Sequence, residues 1–290
     1  MDKIKVGITI GDINGIGPEV LIKAVSDPRI TDICTPIIYA SAKVLSYHKN
    51  ITNINNFFYK VAMSGQRITK DKINLVNCWT ENVSINIGKV SEEGGKYAKI
   101  SLDSAIYDLK EGYIDALVTA PINKNAMSKI DFGFMGHTDY LTEVFKSENS
   151  MMIMLNDDLR VALVTHHLPI KEVPSAITKE KVLKTIEDLN QILKMDFDKE
   201  KPLIAVMGLN PHAGDGGVIG NEEIDIIRPA ILEAKDKGIF VNGPFPPDSF
   251  WGTFSFKKYD AVLAMYHDEG LIPFKLLSFG KGVNFTAGLP

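Results

Sequence analysis

An α/β protein built on a largely parallel sheet is what the sequence predicts. Three observations predict it. Short runs rich in Val, Ile and Leu alternate with stretches of helical periodicity. Several of these runs open directly into loops carrying Gly, Pro or His. No internal repeat or low-complexity stretch interrupts the alternation.

Residues 4–10 read as a strand that runs into a Gly-rich turn. Residues 18–27 then read as a helix, with Pro18 suited to the first helical position, Glu19 to the positive end, and Pro28 as a stop. Val20, Leu21, Ala24 and Val25 form its apolar stripe. A short buried strand follows at 36–40. Residues 50–90 are the least periodic and predict an irregular excursion with short strands. Residues 96–111 give an amphipathic helix carrying Ala98, Leu102, Ala105, Ile106 and Leu109 on one face, closed by Gly112. Residues 114–119 predict a strand that breaks at Ala120-Pro121. Runs at 151–155 and 159–165 flank Asn156-Asp157-Asp158, which predicts a hairpin and hence a mixed sheet. Residues 180–194 predict a helix on Val182, Leu183, Ile186, Leu189 and Ile192. Strands at 203–209 and 260–265 each open into a loop containing a His. Asn221 can cap a helix starting at Glu222-Glu223, which Pro229 kinks or restarts.

The chain of 290 residues is long enough for two domains. Its net charge of −4, with no cluster of Lys and Arg, excludes the basic face a nucleic-acid binder needs. No run approaches the ~18 apolar residues of a membrane span. The N-terminus lacks the apolar core of a signal peptide. The two cysteines, Cys34 and Cys78, sit in no CxxC pair, so a reducing, cytoplasmic setting is expected.

Six motifs can carry chemistry. GDINGIGPE (11–19) lies between a strand and a helix, where glycines let an anion approach the backbone; its spacing is not GxGxxG, which argues against a standard dinucleotide fingerprint. TAPINK (119–124) follows a strand, and Lys124 there can meet a phosphate or carboxylate or simply be solvated. In FMGHTD (134–139), His137 and Thr138 offer donors to an anion, or Thr138 caps a helix. His167, His212 and His267 each stand in a loop after an apolar strand. Neutral imidazoles bind divalent metals. Separations of 45 and 55 residues are no local metal signature, yet all three can share one rim of a sheet. Asp248 sits in the rigid segment GPFPPDSF, as a base, an ammonium binder or a helix cap. Lys275 interrupts the apolar run 271–277, either reaching a cleft edge or lying on an edge strand, and Lys281-Gly282-Val283-Asn284 follows.

Taken in order, GDINGIGPE, TAPINK, GHTDYL, THHLP, GLNPHAGDGG, NGPFPPDSFW and AMYHDEGLIPFK resemble the 4-hydroxythreonine-4-phosphate dehydrogenase family of vitamin B6 biosynthesis, from about residue 4 to the end. The resemblance implies an isocitrate/isopropylmalate dehydrogenase-like fold of two α/β/α domains with a cleft between them. The first would comprise 1–125 plus 272–290, on the cofactor side; the second, 126–271, would carry the metal site and the dimer contact. It implies a homodimer that uses NAD, or NADP, and one divalent ion (Zn, Mg, Mn or Co) to oxidise and decarboxylate a phosphorylated hydroxy-amino acid. By motif, the metal ligands fall on His167, His212 and His267, with the site completed across the dimer interface and His166 as the spare imidazole. Substrate contacts fall on His137, Thr138, Lys275 and Asn284. Asp248 and Lys124 are the candidates for removing the hydroxyl proton, and no cofactor-binding residue is assigned.

Two departures are visible. Ile13 stands where relatives commonly carry proline. The chain also ends at Ala287-Gly288-Leu289-Pro290, within a motif, where relatives continue; the expectation is an incomplete sequence whose tail would carry a phosphate-binding arginine and a cofactor loop. Competing readings are a dehydrogenase for threonate or erythronate phosphates, a three-His metal-dependent hydrolase, and a non-catalytic relative.

Overall fold

The computed structural model describes residues 3–289. Two compact units result, Met1–His137 and Thr138–Pro290.

The first unit is a five-stranded, all-parallel sheet. Its strands are β1 (Ile4–Thr9), β2 (Cys34–Ala40), β3 (Lys60–Ala62), β4 (Asn74–Asn77) and β5 (Ala116–Thr119), in the order β3-β4-β2-β1-β5. Alternate residues feed opposite faces, as a pleated strand requires. Ile38 and Ala40 pack with Leu21, Ile22, Val44 and Leu45 on one side. Ile37 and Tyr39 pack with Val76, Ala105 and Ile114 on the other. Burial on both faces accounts for strands that read as continuous apolar runs.

The second unit is a six-stranded mixed sheet of β6 (Met151–Leu155), β7 (Arg160–Leu163), β8 (Leu203–Met207), β9 (Phe240–Phe245), β10 (Ala261–Ala264) and β11 (Val283–Ala287), ordered β11-β6-β7-β10-β8-β9. β6 and β7 form the expected antiparallel hairpin, and Asn156 closes it by accepting from the backbone N–H groups of Asp158 and Leu159 at 2.8 Å each. β7, β10, β8 and β9 run parallel. Ala162, Ile204, Val206 and Leu263 face the helices Lys179–Met195 and Arg228–Asp236. Val161, Ala205, Met207 and Val262 face Phe250 and the helix His267–Leu277.

Local differences from the sequence reading have local causes. The helix after residue 90 starts earlier, at Glu92, because Ser91 Oγ accepts from the Gly94 N–H at 3.0 Å. Pro28 does not merely stop a helix; it is the first residue of a further one, Pro28–Ile33, capped by Asp27. The helix restarted at Pro229 is preceded by a π-helical turn, Glu223–Ile227. The run 271–277 is helical, not an edge strand, despite the internal Pro273. Val283–Ala287 pairs antiparallel with β6, so this part of 272–290 extends the second unit's sheet and not the first's. No helix among the described residues is long and apolar enough to cross a membrane.

Candidate active site

In the first unit, β1 ends in the Gly-rich loop and β5 in the Thr119–Lys124 segment, side by side at one edge of the sheet. Asp12 N–H donates to the Pro121 carbonyl at 3.1 Å. Asn14 is fully buried: its Oδ1 accepts from Asn86 N–H at 2.7 Å and its Nδ2 donates to Ser91 Oγ at 2.8 Å. The loop is thus rigid by hydrogen bonding, without the stiffness a proline at position 13 would give. Ile13 itself is buried in the core. Lys124 is exposed and opens the helix Lys124–Ser128, whose cap is Asn123 through the Ala126 N–H at 3.1 Å.

His48 supports the same loop from beneath. Its Nε2–H donates to the Ile13 carbonyl at 2.9 Å, and burial pulls its pKa below the ordinary 6.5. The unfolded ring titrates near 6.5, so the stability this group contributes is present above that pH and lost as pH falls through the lower folded value. Denaturant midpoints read from Trp79 fluorescence should therefore drop as pH falls below about 6.5, and less steeply in His48→Gln. Equal slopes for the two proteins would contradict this.

In the second unit, β7 and β10 are parallel neighbours and stay zipped beyond their ends. Val164 N–H donates to the Ala264 carbonyl at 2.9 Å and Thr165 N–H to the Met265 carbonyl at 3.1 Å. Beyond these bonds come His166-His167 on one side and Tyr266-His267 on the other. The rings of His167 and His267 lie 5.8 Å apart, centre to centre. They line a cavity of about 230 Å³ together with His166, Leu168, Tyr266 and Asp268. His267 Nδ1 donates to Asp268 Oδ1 at 2.7 Å, which orients the ring and leaves Nε2 available. Burial, then the neighbouring imidazoles and Lys181, lower the pKa of His166. Two imidazoles sharing one ion at about 2.1 Å would hold their ring centres within roughly 6–7 Å. The spacing of His167 and His267 meets that condition, so the pair fits a shared divalent ion.

His212 does not join them. It is exposed on the loop after β8, and no group of three or more His, Cys, Asp or Glu among the described residues is placed to hold a metal ion. His137 opens the helix His137–Phe145; its Nε2 is shielded and without a partner, and burial lowers its pKa to about 4, so the ring is neutral near pH 7. Thr138 Oγ1 lies 3.1 Å from Thr286 Oγ1. Asp248 is exposed in the first turn of the helix Pro247–Gly252. Lys275 is exposed in the last turn of His267–Leu277, and Asn284 is exposed on β11.

Two buried carboxyl groups beside the His loops had no distinguishing signal in the sequence. Glu269, 8% exposed, accepts from the Met265 N–H at the end of β10. Burial pushes its pKa up to about 8, with neighbouring Glu223 adding to the rise. Glu223, 1% exposed, accepts from the backbone after β8. Their positions relative to the motifs, two residues after one His and eleven after another, match no local pattern.

Comparison with known proteins agrees with this architecture. The profile of a family described as pyridoxal phosphate biosynthetic protein PdxA matches residues 32–290. A 4-hydroxythreonine-4-phosphate dehydrogenase of Bacteroides thetaiotaomicron is 45% identical over 290 residues, which is 100% of this chain and 79% of that protein. One from Sulfurihydrogenibium sp. is 41% identical, over 99% of this chain and 87% of its own length. The crystal structure of a 4-hydroxythreonine-4-phosphate dehydrogenase from Klebsiella pneumoniae superposes with a TM-score of 0.87 at 31% identity, covering 100% of this chain and 88% of the other.

Proposed function

The chain belongs to the PdxA family of pyridoxal phosphate biosynthetic proteins, and on that premise we propose that it is an NAD-dependent, divalent-metal-assisted 4-hydroxythreonine-4-phosphate dehydrogenase. The reaction removes hydride from the carbon bearing the secondary hydroxyl of 4-phosphohydroxy-L-threonine and passes it to NAD. The hydroxyl proton leaves to a base. The resulting β-keto acid loses CO2, and protonation gives 3-amino-2-oxopropyl phosphate.

The observation that carries this reading is the pair of imidazoles at the ends of two adjacent parallel strands, 5.8 Å apart beside a cavity. His167 and His267 would supply two ligands of that ion, and His212 of a second copy would supply the third. A divalent ion held there would acidify the substrate hydroxyl and draw off the negative charge that develops as CO2 departs. Neutral His ligands leave its charge undiminished. Asp268 keeps His267 in the tautomer that presents Nε2. Exposed Leu276 and Phe279, 78% and 94% accessible on the same unit, favour a homodimer contact there.

His137, Thr138, Lys275 and Asn284 are the proposed substrate contacts. The neutral His137 ring can donate or accept a hydrogen bond without adding a charge, and Lys275 complements an anionic group. Asp248 or Lys124 takes the hydroxyl proton. The two cysteines are free, and Cys34 is buried, which suits the reducing cytoplasm.

The test is turnover of 4-phosphohydroxy-L-threonine. NADH should form only with substrate, NAD and a divalent metal together, with CO2 released in step. NADP in place of NAD, and threonate or erythronate 4-phosphate in place of the substrate, fix the cofactor and the acid used. Product release without either nucleotide would replace this reading with a metal-dependent hydrolase.

A further inference from the structure

Among the described residues, the loop between β8 and the π-helical turn carries the longest run of positive φ. His212, Ala213, Gly214, Asp215, Gly216 and Gly217 all have positive φ, between 44° and 100°. Three of these six, His212, Ala213 and Asp215, are not glycine, and a run of consecutive left-handed residues is rare even for Asp and His. Such a run persists only where its surroundings over-determine it.

The surroundings converge on one buried carboxyl group. Glu223 Oε1 accepts from the backbone N–H groups of Leu209 and Asn210, each at 2.7 Å. Its Oε2 accepts from Asn210 Nδ2 at 3.0 Å, and Glu222 Oε2 accepts from the same amide at 2.7 Å. Asn210, fixed in this way at backbone and side chain, offers its carbonyl to the Ala213 N–H at 3.0 Å. That bond closes the turn over His212. The glycines of the loop make room for the carboxyl group: a Cβ on Gly214 would lie 2.6 Å from Glu223 Oε2, and one on Gly220 would lie 2.5 Å from Asn210 Nδ2. Glu223 also opens the π-helical turn, a distortion often found at functional sites.

We propose that Glu223 is a positioning residue: its carboxyl group holds the left-handed turn that presents His212, and so sets the affinity for the divalent ion without touching ion or substrate. This rests on the reading of His212 as a metal ligand. A residue of purely structural importance would instead lower stability and leave the affinity of the folded protein unchanged.

The experiment is calorimetric titration of Co²⁺ into metal-stripped protein, comparing wild type, Glu223→Ala, Glu223→Gln, His212→Ala and the double variant Glu223→Ala/His212→Ala. Hydrogen exchange of residues 208–220 is followed in parallel. Loss of an outer-shell partner typically weakens metal binding by about 10–100-fold. Glu223→Ala is expected to fall in that range, with faster exchange in 208–220 and unchanged protection in β7 and β10. Glu223→Gln keeps an oxygen for the two backbone donors and loses one acceptor for Asn210. It should fall between wild type and Ala, and it serves as the reporter if the Ala variant does not fold. In the His212→Ala background, Glu223→Ala should weaken binding no further. An additive loss there, or wild-type affinity in both folded Glu223 variants while His212→Ala binds weakly, overturns the role of Glu223 alone. Wild-type affinity in His212→Ala overturns the ligand assignment and this inference with it.

Discussion

His267→Ala is expected to lose metal-dependent turnover by roughly 10³-fold or more while remaining folded. Metal-ion catalysis contributes several kcal/mol of charge stabilisation. Each 1.36 kcal/mol is tenfold in rate, so losing about 4 kcal/mol gives that factor. The fold should tolerate the change because the ring is 35% accessible and its one polar partner, Asp268, is solvent-exposed. Surface substitutions of this kind usually stay within about 0.5 kcal/mol of wild type. His167→Ala should behave alike. His166→Ala supplies the contrast: that ring faces the same cavity but is not among the proposed ligands, and its loss should cost little metal affinity. Steady-state rates against metal concentration, with a thermal melt for each variant, decide the matter. Full activity in His267→Ala, or equal damage from all three substitutions, would remove the proposed division of roles.

Gly11→Ala should destabilise the first unit by about 3 kcal/mol or more. Gly11 has a φ of +69°, and a Cβ there would sit 2.4 Å from the Pro121 carbonyl oxygen and 3.0 Å from the Ala120 carbonyl carbon. A left-handed L-residue costs about 1–2 kcal/mol. The overlap adds to this because the opposing atoms are backbone and cannot swing aside. The Asp12-to-Pro121 hydrogen bond would be displaced as well. Trp79 lies in the first unit and Trp251 in the second, so Trp251→Phe leaves a fluorescence reporter for the first alone. Denaturant unfolding of Gly11→Ala in that background should show an early transition. Gly136→Ala, where an added Cβ meets nothing within 4 Å, is the control. A midpoint equal to the control's would mean that the loop yields more easily than its contacts suggest.

How much was legible in the sequence follows from the range of the forces involved. Helices with a clear apolar stripe, such as Lys179–Met195, are written in local periodicity, and so is the β6–β7 hairpin, through Asn156. The early turn of Glu92–Lys110 was not legible, because Gly94-Gly95 looks like a break. Both glycines serve close approach: a Cβ on Gly94 would lie 2.5 Å from Asp12 Oδ1, and one on Gly95 would lie 2.3 Å from the Ala126 carbonyl. The place of residues 283–287 depends on a partner strand far back in the chain, which periodicity cannot name. At the site, the residue types and their position after strands were legible. The meeting of His167 with His267 depends on strand order; the separation of His212 does not, since β8 also neighbours β10, and it arises in the left-handed turn beyond the end of β8. The left-handed turn at 212–217 and the buried carboxyl groups beneath it are tertiary features with no local signature.

The zipped ends of β7 and β10 have a consequence for tolerance to change. Because main-chain pairing continues to Thr165 and Met265, the distance between the two imidazoles is inherited from the ladder and not from the packing beneath it. Volume-conserving swaps under the sheet should leave the spacing of the two imidazoles intact. A one-residue slip of either strand would turn a ring to the opposite face and abolish it at once.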